Sequence, residues 1–216
     1  MRTSPPRTEA LRGALRSFHE TIFRARTAEF PDPLDSQGSL DHGGRYNPKG
    51  LFSALYCSLD PWVASLEVLD NHSTGTDDLI VYAFNVALQR VADLRVPGLL
   101  RTLATPGGPA LTPLDLVDMD QRLPASIATL AAANDLDGLL VPSAAWARHQ
   151  DDLPVIEGLP GLERPSSDPG NIVILRDSAV DRQSVRERYR GIANLAPELG
   201  GFVTAPEGQI RVIRVL

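Results

Sequence analysis

The sequence predicts an α+β domain rather than a regular doubly wound sheet, and three observations carry that expectation. Short apolar runs bounded by Gly, Pro, Asp and Ser recur along the chain. Only a few helical segments stand between them, at irregular intervals. The length, 216 residues, suits one domain of generous size with a substantial core.

The elements follow in order. After a Pro-rich start, Leu11, Ala14, Leu15 and Phe18 recur at helical spacing, which predicts a short amphipathic helix over Thr8–His19. Thr21–Arg26 reads as a strand. Residues 28–50 are dense in Pro, Asp, Gly and Ser and predict an ordered functional loop. Leu51–Ser58 is apolar and aromatic, as a buried strand is. Asp60 is a candidate N-cap for a helix with Pro61 in its first position, which places Glu67 on that helix.

Leu79–Leu88 is the next strand, and Pro97–Thr112 is expected to cross the surface. Asp115–Asn134 carries a helical stripe of Leu116, Met119, Leu123, Ile127 and Leu130. Leu136–Val141 and Ile172–Leu175 are strands, the first running into Pro142-Ser143 and Trp146. A charged segment spans Asp181–Arg190, and Phe202-Val203 with Ile210–Val215 flank Pro206-Glu207-Gly208 as a terminal hairpin. Residues 1–20 read as an N-terminal extension, 21–176 as the main domain, and 177–216 as a C-terminal extension packed on it.

Bulk properties narrow the function. A formal charge of -6 argues against a nucleic-acid footprint, so direct nucleic-acid binding is not expected. Cys57 is a lone cysteine on a strand and reads as a small hydrophobe, and no Cys/His spacing suggests a metal. His19, His42, His72 and His149 are isolated from one another. Neither a secretory leader nor an apolar run near the roughly 20 residues of a membrane span is present, so a cytoplasmic location without membrane contact is expected.

Four residues draw attention to chemistry. Arg45 follows Gly43-Gly44, where the backbone turns sharply and a ligand approaches closely, and its planar fork suits a diphosphate or a ribose edge. A surface turn with Arg45 paired to Asp41 is the plain alternative. Glu67 is a carboxylate amid Trp62, Val63, Ala64, Leu66, Val68 and Leu69. Its burial demands a cation, a donor network or a ligand cleft, and an ion pair with Arg24 would also satisfy it. Tyr56 is either core or a ring that stacks on a ligand, and its hydroxyl needs a partner. Ser143 stands at a strand end without the Gly-x-Ser-x-Gly setting of a nucleophile elbow. A cation, a phenol and a shielded carboxylate together are the equipment for holding and breaking a phosphorylated glycoside such as NAD.

These residues resemble the RES domain family, the toxin half of many bacterial toxin-antitoxin pairs, named for an arginine, a glutamate and a serine. The resemblance rests on Gly43-Gly44-Arg45-Tyr46-Asn47-Pro48-x-Gly50, Leu55-Tyr56-Cys57-Ser58, Leu66-Glu67-Val68-Leu69, Leu136–Ala144 and Asn171–Leu175. Arg45 to Tyr56 and Tyr56 to Glu67 are each eleven residues apart. It runs from Ile22 to Leu175, and the family's early arginine aligns with Phe23-Arg24, with Arg26 close behind.

The resemblance implies an ADP-ribosyltransferase-like split, mostly antiparallel sheet with NAD+ in its cleft. It implies NAD+ as substrate, with phosphate or water as acceptor and no metal. The nicotinamide-ribose bond would be cleaved by a phosphorylase or a glycohydrolase. Arg24, Arg45, Tyr46, Tyr56 and Ser143 would bind NAD+. In the reaction Arg45 would hold the diphosphate or ribose, Tyr56 would stack near the nicotinamide, Glu67 would stabilise the oxocarbenium ion and Ser143 would hydrogen-bond in the nicotinamide pocket. The partner implied is a cognate antitoxin, helical and Xre-like. Transfer of ADP-ribose to a protein or small molecule, and a module that binds NAD without cleaving it, are the alternatives.

Overall fold

A computed structural model describes residues 6–27, 30, 32–71, 78–104, 110–118, 122–149, 165, 167–176, 180–192, 202–204 and 210–212. The first helix, α1 (Pro6–Gly13), is shorter than its periodicity suggests, and strand β1 (Leu15–Thr27) begins directly after it. Glycine is a poor helix former, and Phe18 is taken into the sheet opposite Leu88, so tertiary pairing overrides the helical spacing. The functional loop is not wholly irregular, because it contains α2 (Gln37–His42).

Strand β2 (Leu55–Ser58) leads to α3 (Pro61–Asn71). Asp60 caps that helix as expected, its Oδ1 accepting from the backbone N–H of Trp62 at 2.8 Å and of Val63 at 3.2 Å. Strand β3 (Asp78–Asp93) extends beyond Leu88, and α4 (Pro97–Leu103) replaces the expected surface crossing. Proline is favourable in a helix's first position, and Leu99, Leu100 and Leu103 anchor α4 in the core.

The long helix expected over Asp115–Asn134 is two, α5 (Asp115–Asp118) and α6 (Arg122–Ala133). Pro124 would disrupt a helix interior but is tolerated in a first turn, where it stands in α6. Met119, part of the expected stripe, lies outside the described residues, as does His72. Strand β4 (Gly138–Val141), helix α7 (Ala144–His149) and strand β5 (Asn171–Ile174) follow. The charged segment forms a 3-10 turn at Arg182–Ser184 and strand β6 (Arg186–Ile192), and the terminal hairpin is β7 (Phe202–Thr204) with β8 (Ile210–Val212).

The eight strands of the described residues join one sheet, ordered β1-β2-β5-β4-β3-β6-β7-β8, with a further pairing of β1 to β3. That pairing closes β1, β2, β5, β4 and β3 into a ring. Every pairing is antiparallel except β3 with β4. The sheet is split along β3, because β6 pairs with its first half, from Asp78 to Ala83, whereas β4 pairs with its end, from Val91 to Asp93. The mostly antiparallel α+β fold predicted for the chain is therefore present, and its sheet draws strands from each of the segments distinguished in the sequence.

Two cores explain why β2, β4 and β5 read as continuous apolar runs. Successive strand residues point to opposite faces. Leu55, Cys57, Leu140, Ile172 and Ile174 join Phe18, Ile22, Phe84 and Leu88 in one cluster. Leu139, Val141 and Val173 turn to the other, with Leu11, Leu94, Leu100, Leu103, Leu116 and Ile127, and Tyr56 packs against it. Burying a large apolar side chain fully contributes about 1.5–3 kcal/mol, and Phe84 is wholly buried. The same alternation brings Tyr56, Asn171, Val173 and Val141 to one cavity wall.

Candidate active site

Local hydrogen bonds shape the Gly-Gly-Arg-Tyr-Asn segment. Gly44 and Asn47 exchange backbone bonds of 2.9 and 3.2 Å, which places Arg45 and Tyr46 at the tip of a tight turn. Asn47 is wholly buried and donates through Nδ2 to the carbonyls of Ser39 at 2.6 Å and Phe52 at 3.2 Å. The Tyr56 hydroxyl donates to Asn47 Oδ1 at 2.7 Å and accepts from the Tyr46 N–H at 2.9 Å. Glycine is required at position 44, because a Cβ there would stand 2.6 Å from the Tyr56 hydroxyl oxygen and 2.9 Å from Asn47 Oδ1. Burial pushes the Tyr56 phenol up to about 12, so it keeps its proton and serves as a donor at neutral pH.

Arg45 does not pair with Asp41, which accepts instead from Gln37 at 2.8 Å. Its guanidinium donates to the Leu116 carbonyl at 3.2 Å. Tyr46 is 3% exposed, sits in the helix-side core and contributes to the cavity wall, and burial raises its phenol above the usual value. Arg24 on β1 donates to the carbonyls of Pro33 at 2.7 Å and Asp35 at 2.8 Å. Burial lowers its pKa from the usual arginine value, yet a guanidinium remains charged at any physiological pH.

Glu67 is held from two distant segments. Its Oε1 accepts from Ser143 Oγ at 2.7 Å and from Asn171 Nδ2 at 2.6 Å. A donor network thus meets the carboxylate, where the sequence left open a donor network, a ligand cleft or an ion pair with Arg24. Ser143 is wholly buried and does not line the cavity; its hydroxyl faces Glu67 and accepts from the Trp146 N–H at 3.0 Å. The hydroxyl expected to hydrogen-bond in the nicotinamide pocket donates here to Glu67. Its backbone N–H donates to Asp168 Oδ2 at 3.0 Å, and burial raises the Asp168 carboxyl above its ordinary value.

These groups border a cavity of about 790 Å³. Among the described residues, Arg24, Arg26, Arg45, Lys49, Arg122 and Arg148 line it together with the carboxylate of Glu67, in a chain whose net charge is -6. A second lobe of about 450 Å³ shares Arg24, Arg26, Tyr56, Glu67 and Asn171 with it and adds the apolar Phe23, Phe30, Ala64 and Val68. Glu67 stands where the lobes meet. An anion fits the first lobe by charge, and a flat apolar group fits the second.

The structure brings Arg24, Arg45, Tyr46, Tyr56 and Glu67 to one cavity, with Ser143 behind its wall. Sequence reasoning missed the amides Asn47 and Asn171 as site residues, although both lie within the motifs it singled out. A polar residue heading a buried strand was the available signal for Asn171. Arg122 and Arg148 come from separate helices and carried no sequence signal. Among the described residues no group of His, Cys, Asp and Glu is placed to hold a metal, and no helix is long and apolar enough to cross a membrane.

The RES domain family model matches residues 21–190, most of the chain. That span reaches past the Leu175 limit of the motifs and takes in part of β6. No curated protein sequence matches the chain. Among solved structures, a chain of the M. tuberculosis MbcT-MbcA toxin-antitoxin complex is similar in fold, with a TM-score of 0.60 and 19% identity, over 86% of this chain and 90% of that one.

Proposed function

The chain belongs to the RES domain family, and on that premise we propose that it cleaves the nicotinamide-ribose bond of NAD+ as the toxin of a toxin-antitoxin pair. One observation carries the reading: a carboxylate held by two donors stands between an arginine-rich lobe and a smaller apolar one. The diphosphate of NAD+ supplies the anion that the first lobe suits, through guanidinium forks that bind phosphate oxygens. The second lobe suits the nicotinamide ring.

The chemistry needs little else. When the C1′–N bond breaks, its electron pair leaves with neutral nicotinamide and positive charge develops on the ribose. A fixed carboxylate beside C1′ stabilises that charge most strongly where water is excluded, as in glycoside hydrolysis. An oxygen of inorganic phosphate or of water then bonds to C1′, water losing one proton. Tyr56 keeps its proton and packs the ring edge rather than acting as a base.

The fold likeness to a chain of a toxin-antitoxin complex supports a cognate antitoxin for this protein too; that this antitoxin is helical and Xre-like, and covers the cavity in the cytoplasm, is part of the proposal. Incubation with NAD+ in phosphate and in phosphate-free buffer tests the reaction, with products resolved by phosphorus NMR. ADP-ribose 1-phosphate identifies a phosphorylase, free ADP-ribose a glycohydrolase and label on protein an ADP-ribosyltransferase. Intact NAD+ in every condition contradicts the proposal.

A further inference from the structure

We propose that Asn171 is a positioning residue that sets the orientation of the Glu67 carboxylate through a hydrogen-bond relay beginning at Ser58. The inference rests on the reading of Glu67 as the group that faces the developing ribose cation. Ser58 ends β2 and Asn171 begins β5, and the two are register partners in the sheet. Backbone pairing thus fixes both side chains before any ligand arrives. The Ser58 hydroxyl donates to Asn171 Oδ1 at 2.7 Å. Glu67 Oε1 takes the donor end of the amide, Nδ2, at 2.6 Å, which leaves Oδ1 to the Ser58 hydroxyl, so the two bonds together hold the amide in one orientation.

Ser143 completes the clamp from just past the end of β4, where Val141 pairs with Asn171. Its oxygen accepts from the Trp146 N–H, which directs the hydroxyl proton to the same Oε1. Asp168 ties the two segments together, accepting from the N–H of Ser143 at 3.0 Å and of Gly170 at 2.8 Å. Gly170 has φ +81, and a Cβ there would meet the Val141 carbonyl and Arg95 at 2.9 Å, so the chain approaches β4 closely enough to deliver Asn171 only with glycine at that position. Ser58 and Ser143 are 2% and 0% exposed, so the two hydroxyls are shielded from water.

Two donors on a single oxygen fix both the position and the plane of the carboxylate, which charge stabilisation in a transition state requires. Asn171 reaches the cavity wall and Ser143 does not. Among the described residues, the charged and titratable groups that share the lobes with Glu67 are Arg24 and Arg26 from β1, His42 from α2, Arg45, Tyr46 and Lys49 from the loop, Tyr56 and Cys57 from β2, Arg122 from α6 and Arg148 from α7.

Asn171→Asp and Asn171→Ala, each assayed by nicotinamide release from NAD+, test the relay. Both are expected to lower kcat on the order of 10- to 100-fold while KM changes less than threefold. In Asn171→Asp, two carboxyl groups in hydrogen-bond contact share a proton, so the acidic limb of kcat against pH moves up by about one unit or more. Ser58→Ala is expected to cost less, and combining it with Asn171→Ala is expected to add nothing to the single Asn171→Ala loss.

A substrate-free measurement separates this inference from the NAD+ reading. In the folded wild type, one side-chain NH2 proton of Asn171 should resonate downfield in amide NMR and return upfield in Glu67→Gln. That signature without NAD+ cleavage supports the relay and removes the NAD+ reading. Amide resonances indifferent to Glu67→Gln, or Asn171 variants with kcat within twofold of wild type and an unmoved pH profile, overturn the relay.

Discussion

The Arg45 side of the cavity and the Glu67 side are built in opposite ways. The arginine turn is a local object: Gly44, Asn47 and Tyr56 lie within thirteen consecutive residues and hydrogen-bond one another. The glutamate clamp is a product of topology, since Ser143 and Asn171 lie 76 and 104 residues from Glu67 and meet it only when β2, β5 and β4 are in register. A local turn tolerates change elsewhere in the sheet. A clamp assembled across strands is lost when any of its strands slips by one residue, because a slip turns every side chain to the other face.

The contrast sets an order of expected effects. Glu67→Gln keeps the side-chain volume and can still accept from both donors, yet loses the charge. It is expected to lower the rate of nicotinamide release by about 1,000-fold or more, the scale of removing a main electrostatic stabiliser, with the circular dichroism melt nearly unchanged. A melt lowered along with the rate would show that the clamp holds the fold rather than the chemistry.

Arg45→Ala attacks the other side. It is expected to raise KM for NAD+ about 10- to 100-fold with a smaller effect on kcat, the pattern of lost binding rather than lost transition-state contact. Arg45→Lys should recover only part, since an ammonium cannot present a planar fork. A fall in kcat alone would move Arg45 from binding to chemistry.

Gly44→Ala forces a Cβ against the Tyr56 hydroxyl and Asn47. A loss of about 1–3 kcal/mol of stability is expected, the usual cost of overpacking, measured by chemical denaturation. Gly50→Ala makes a useful comparison, because Gly50 has φ +74 but open space around its Cβ. It isolates backbone strain from collision.

The smallest effect concerns Tyr56. Its folded phenol titrates at about 12 against an ordinary value of 10.0. The raised folded value favours the protonated form, so its contribution to stability is complete below pH 10 and fades as the pH rises toward 12. Tyr56→Phe is expected to cost about 1–3 kcal/mol at neutral pH, from the Asn47 and Tyr46 groups it strands. It is also expected to flatten the stability loss between pH 10 and 12. An equally steep loss in the variant would assign that titration to the Tyr46 phenol, which burial also raises, or to Cys57, which burial pushes up to about 12.

The two sides also differ in how far the sequence revealed them. Arg45, Tyr56 and Glu67 were legible because glycine, aromatic and carboxylate types stand at odds with their neighbours. The cap at Asp60 and strands β4 and β5 were legible for related local reasons. Ser143 stood out at a strand end, but its bond to Glu67 was not legible: which group a strand-end hydroxyl meets depends on which strand comes alongside. Periodicity also misled where tertiary contacts override it, as Phe18 passed from a helical stripe into β1 and Leu99, Leu100 and Leu103 made a buried helix of a Gly/Pro-rich stretch. Arg122 and Arg148 share the cavity only because α6 and α7 pack around it, which no spacing along the chain encodes.

Nicotinamide release from NAD+, followed by proton NMR for the wild type and Glu67→Gln side by side, tests the central claim most directly. Release by the wild type and almost none by a folded Glu67→Gln is the expected result. No release by the wild type, or equal release by both, would contradict it.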